Sequence, residues 1–105
     1  MYKRIQLIRR KVRAIDHDVE EFVSQFKGLK DATRAAMTIW IGTNINPMYP
    51  GNDLYQLVVE STHADLRDLQ KFNTHPRHRE IAAQWLDKTS SECIADDHFT
   101  LVCIL

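Results

Sequence analysis

Residues 68–78 read DLQKFNTHPRH, from Asp68 to His78. Pro76 has no backbone N–H and a fixed φ, so it cannot continue a helix but suits the first turn of a new one. The stretch therefore predicts a short helix that stops before His75 and a second that starts at Pro76. Working back, Thr62-x-x-Asp65 offers a capping-box-like start to the short helix, which carries Leu66 and Leu69. Before it, Leu54 to Glu60 reads as a strand, with Tyr55, Leu57 and Val59 on one side. Working forward, the second helix extends to about Lys88 with Ile81, Trp85 and Leu86 on its inner side, and a last strand begins near Cys93.

The N-terminal half repeats the pattern once. Residues 2–10 (YKRIQLIRR) alternate as a strand, with Ile5 and Leu7 on one face and Arg4, Gln6 and Ile8 on the other. A helix follows, capped by Asp16 or Asp18, with Glu20 and Glu21 near its positive first turn. Val19, Phe22, Val23, Phe26 and Leu29 recur at helical spacing. A strand over about 36–44 sets Met37, Ile39 and Ile41 against Thr38, Trp40 and Gly42, and the loop from Asn44 to Asn52 is punctuated by Asn46-Pro47 and Pro50-Gly51. The order is β-α-β-β-α-β, an α+β ferredoxin-like arrangement with an antiparallel four-stranded sheet and both helical regions on one face. If Ile5 and Leu7 pack on the helices, the open face holds Ile8, Trp40 and Val58, too apolar to stay wet. Closing two such sheets into a barrel buries that face, which predicts a dimer.

Length and charge narrow the function. The 105 residues suit a single domain over 1–105. Fourteen basic residues balance fourteen acidic ones, which speaks against nucleic-acid binding and a polybasic membrane contact. No apolar run reaches the ~20 residues of a membrane span, and the start of the chain lacks the apolar core of a signal peptide. Cys93 and Cys103 would lie roughly 33 Å apart on an extended segment, so two reduced cysteines in a cytoplasmic protein are expected. The apolar stretch Leu101 to Leu105 is expected to pack on a partner subunit or extend the last strand.

DLQKFNTHPRH resembles the signature of the Dabb (stress-responsive A/B barrel) family, in which a short helix ends in a His-Pro-x-His turn. The basic-aliphatic first strand, Gly42 with its Asn-rich loop, the Leu54–Glu60 strand and the closing Asp96-Asp97-His98-Phe99 agree. The resemblance covers essentially the whole chain and implies a homodimeric α/β barrel, each subunit supplying one sheet with the helices outside. Many members are stress-associated proteins without an assigned reaction, and a plant branch contains polyketide cyclases. In that branch the residue matching His78 is the proposed base, helped by a tyrosine on the preceding helix and by histidines on the first and third strands. This chain has Phe72, Arg4 and Leu57 at those three places. A phenylalanine cannot donate the hydrogen bond of a tyrosine hydroxyl.

The candidate site follows. His78 shares a helix face with Ile81, Ala82 and Trp85 and is the candidate general base. Arg4, Gln6, Trp40, Phe72, His75 and Trp85 are the candidate ligand contacts, with Arg4 and Gln6 expected in the barrel interior beside Trp40. A buried arginine needs a partner, for which Asp96 or Asp97 is expected, or else an anionic ligand such as a small carboxylate or phenol. His75 is expected to satisfy free amides at the helix start. His75-x-x-His78 has metal-ligand spacing, but His17, His63 and His98 add none, so neither metal nor cofactor is expected. No Ser/His/Asp nucleophile motif or phosphate-cradling glycine loop is recognised. Three readings remain: a small-molecule-binding dimer, a cofactor-independent cyclase- or monooxygenase-like enzyme using His78, and an accessory interaction domain.

Overall fold

Four strands and three α-helices account for the computed structural model, which describes residues 1–11, 13–42 and 57–105. They run β1 (Tyr2–Arg10), α1 (Asp16–Thr33), β2 (Ala36–Ile41), β3 (Leu57–His63), α2 (Leu66–Asn73), α3 (Pro76–Ile81), a π-helical turn over Ala82–Leu86, and β4 (Ala95–Ile104). The expected Asn44–Asn52 loop and the start of the third strand at Leu54 and Tyr55 lie outside the described residues. The sheet order is β2-β3-β1-β4 with every neighbouring pair antiparallel, as β-α-β-β-α-β connectivity demands.

The core lies between this sheet and the helices. Phe22 and Phe26 of α1 stack tilted with ring centroids 4.8 Å apart, and both are fully buried with Leu29, Ile8, Leu57 and Val59. Burying each such side chain contributes roughly 1.5–3 kcal/mol. The break in the second helical region is as the sequence indicates. Thr74 ends α2, and His75 caps α3 by accepting from the Arg77 amide at 3.2 Å, with Pro76 in the first turn. Two caps differ from expectation. Asp65 itself caps α2, accepting from the Asp68 amide at 2.8 Å, because it stands three residues before a free N–H. Ile15 occupies the N-cap of α1, so Asp16 and Asp18 sit in the first turn; there Asp16 accepts from Arg10 Nη2 at 2.7 Å and ties the end of β1 to α1.

Arg4, Gln6 and Ile8 face the helices and are buried, whereas Ile5 and Leu7 lie on the open face. The expected orientation of β1 is thus inverted. Ile8 is fully buried and belongs to the core, where it pairs with Leu57. Trp40 and Val58 do lie on the open face, in register with Leu7 and Phe99 in one row across all four strands. Trp40 is 52% exposed and Leu101 49% exposed, so the row and its neighbours form an apolar surface. The C-terminal residues extend β4, pairing Ile104 with Tyr2, and Leu105 donates its amide to the Met1 carbonyl at 2.9 Å.

Candidate functional site

Arg4 stands near the start of β1, between Ser61 of β3 and Val102 of β4 in the sheet register. It is 4% exposed. Its guanidinium lies over the Phe72 ring at 5.5 Å from the centroid, and Nη2 is 3.3 Å from His78 Nε2. A guanidinium only donates, so His78 Nε2 must accept and the ring proton sits on Nδ1, toward the Asn73 backbone. Phe72 lies 5.2 Å from His78 and Phe26 meets its edge at 6.1 Å. β1, α2 and α3 thereby converge on one group of side chains: Arg4, Phe72 and His78.

The electrostatics are unusual for so small a domain. Burial pushes the Arg4 guanidinium down to about 10, still charged at neutral pH. Burial, and then the charge of Arg4, pushes His78 down to about 4, so this imidazole is neutral in the physiological range. Arg4 Nε and Nη1 are buried without a hydrogen-bond partner among the described residues, and so is Gln6 Oε1, two residues along the same face. The expected salt bridge to Asp96 or Asp97 is not formed. Asp97 stands opposite Arg9 at the other end of β1 and lies 3.9 Å from Lys88. Unmatched buried donors cost several kcal/mol unless a water or a bound group meets them, and Arg9 Nε is a further one among the described residues.

The remaining candidates separate. Trp40 lies on the opposite face of the sheet from Arg4, because the two belong to different sets of the strand alternation. Trp85 is buried in the core, where its indole N–H donates to Gln25 Oε1 of α1 at 2.8 Å. His75 keeps its capping role, yet also lines a cleft of about 320 Å³ with Thr33, Ala35, His63, Asp68, Lys71 and Phe72. Leu57, at the place of the third-strand histidine in the resemblance, is fully buried in the core.

A second polar group lies beside the first, centred on His63. His63, 1% exposed, has Ser61 Oγ 2.8 Å from Nε2 and Asp68 Oδ2 3.1 Å from Nδ1. Its ring lies 4.9 Å from Phe72, which is therefore shared by both groups. The signal was available, since Ser61 and His63 fall on one face of a strand and Asp68 in the first turn of the next helix. Among the described residues, no cluster of three or more His, Cys, Asp or Glu is placed to hold a metal, and both cysteines are free. No described helix is long and apolar enough to cross a membrane.

Comparison with known proteins agrees with this architecture. The profile of the Stress responsive A/B Barrel Domain, Dabb, matches residues 2–99. No curated protein is significantly similar in sequence. A protein from Arabidopsis thaliana superposes with a TM-score of 0.78 at 19% identity, covering 100% of this chain and 95% of its own. A hydroxynitrile lyase from Passiflora edulis gives 0.77 at 17% identity, covering 99% and 92%. A dimeric ferredoxin-like protein of unknown function from Thermobifida fusca gives 0.76 at 15% identity, covering 99% and 90%. At these identities the likeness is one of fold.

Proposed function

This chain belongs to the stress-responsive A/B barrel (Dabb) family, and from that premise we propose that it is a homodimeric binding protein for a small phenolic carboxylate. The observation that carries the reading is the buried, unmatched pair of Arg4 and Gln6. Arg4 Nε and Nη1 are N–H donors that suit an anionic oxygen, and Gln6 Oε1 is an acceptor that suits a hydroxyl. Phe72 supplies an aromatic wall. A ligand carrying both groups on one ring satisfies all three atoms, and its anionic charge offsets the desolvation of Arg4. Because these atoms are shielded from solvent, entry requires α2 and α3 to shift from the sheet.

The dimer completes the proposal. Trp40, Leu7, Phe99 and Leu101 on the open sheet face need cover, and a second sheet of the same kind supplies it. Dimeric neighbours of the same fold support this. Thermal-shift titration tests the ligand class. Para-hydroxybenzoate should raise the unfolding temperature more than benzoate, and Gln6→Leu should remove the difference between them. Equal shifts in wild type, or shifts unaffected by Arg4→Met, contradict the assignment.

The enzymatic alternative uses His78 as general base. Its unprotonated state above pH about 4 favours that role, although so depressed a pKa makes a weak base and Phe72 brings no hydroxyl to assist. Turnover lost in His78→Ala with the dimer intact would establish it.

A further inference from the structure

The Ser61, His63 and Asp68 group has the connectivity of a nucleophile, its base and the base's orienting carboxylate. Asp68 accepts from His63 Nδ1–H, which leaves Nε2 free to accept the Ser61 hydroxyl proton at 2.8 Å. Both contacts fall within the range that activates a serine. Ser61 and His63, both buried, share the helix-facing side of β3, while Asp68 comes from α2 and is half-exposed at the cleft that His63 also lines, so two elements meet at one place. Ser61 is also the cross-strand partner of Arg4, whose Nε and Nη1 lack acceptors among the described residues. Directly opposed residues on one sheet face bring their side chains within about 5 Å at Cβ. A nucleophile, a base, an orienting group and an oxyanion donor are therefore neighbours.

We propose that Ser61 is an acyl-accepting nucleophile and that this domain transfers acyl groups from aryl esters to water. Ser61 Oγ attacks the ester carbonyl carbon while its proton passes to His63 Nε2. Negative charge develops on the carbonyl oxygen, toward the Arg4 donors. The bond to the phenolic oxygen then breaks, and that oxygen takes the proton from His63. Water, giving a proton to His63, attacks the acyl-serine, and the serine recovers its proton as the carboxylic acid departs. Ester and water are consumed, and acid and phenol are released. The acid and the phenol each carry one of the two groups proposed above as ligand features for Arg4 and Gln6, and the oxyanion role rests on that reading.

The test is intact-mass and peptide mass spectrometry of the wild-type protein after exposure to para-nitrophenyl acetate, quenched during turnover. An acetyl group on Ser61 is expected. It should be absent in Ser61→Ala, and Asp68→Asn should slow its formation by roughly 10³–10⁴-fold by favouring the wrong imidazole tautomer. Asp68 is half-exposed, so this variant retains the core and reads the relay even where Ser61→Ala fails to fold. Acetylation at lysines alone, or at a rate unchanged by Asp68→Asn, overturns the relay. If wild type gains no adduct yet is stabilised by para-hydroxybenzoate, the relay falls and the binding site stands. An adduct on Ser61 without any effect of para-hydroxybenzoate supports the relay and removes the binding proposal.

Discussion

The two faces of the sheet reverse the usual distribution of polarity. The helix-covered face buries Arg4, Gln6, Ser61 and His63 among its apolar residues, while the open face presents Trp40, Leu7, Phe99 and Leu101. In an isolated domain each choice costs stability, one through desolvation and the other through apolar surface left in water. Together they divide labour. In the proposed reading the apolar face serves association, and the polar groups behind it serve a ligand. A small domain has little stability to spare for such departures, which is why each is informative.

The largest effect should come from spoiling the apolar face. Leu7→Asp places a carboxylate in the middle of the Trp40–Val58–Leu7–Phe99 row and should cost roughly 3 kcal/mol or more of association. Analytical ultracentrifugation should then find monomer, against the dimer proposed for wild type. On the other face the sign differs. Arg4→Met removes a buried charge that has no carboxylate partner among the described residues, so the ligand-free protein should gain about 1–2 kcal/mol. At ~4–8 °C per kcal/mol for a domain of this size, calorimetry resolves that rise.

A subtler probe of the polar face is pH. The folded pKa of His78 is about 4, below the unfolded value of 6.5, so the unfolded chain binds more protons between those limits. Stability should therefore fall as pH drops from about 6.5 toward 4 and level off below. The amplitude is on the order of 2 kcal/mol, reduced from the full shift because the ring is partly exposed. Denaturant titrations should find that component missing in His78→Gln. The smallest effect lies away from both faces. Arg34 ends α1 at φ 57°, and Arg34→Gly should gain up to about 1 kcal/mol by relieving a left-handed conformation.

Much of this was legible in the residue order. Pro76 after His75 marked the broken helix, the spacing of Val19, Phe22, Phe26 and Leu29 marked the buried side of α1, and the resemblance around DLQKFNTHPRH pointed to the family. Strand alternation also separated Arg4, Gln6 and Ile8 from Ile5 and Leu7. It did not tell which set faces the helices, because a period of two is symmetric and both sets contain aliphatic residues. Assigning the more apolar pair to the core is the natural choice for a monomer, and it fails where a partner competes for that pair. The inversion set Trp40 beside Arg4, while His63 fell outside because the third strand was expected to end at Glu60, three residues short of it. His78 and Phe72 were found through the helix, whose three-to-four-residue period is read independently of the sheet.

Native mass spectrometry with para-hydroxybenzoate, applied to wild type and Arg4→Met side by side, tests the division of labour between the faces most directly. A wild-type dimer carrying one ligand per subunit and an Arg4→Met dimer carrying none are expected. A monomeric wild type, or ligand retained in full by Arg4→Met, would contradict that division.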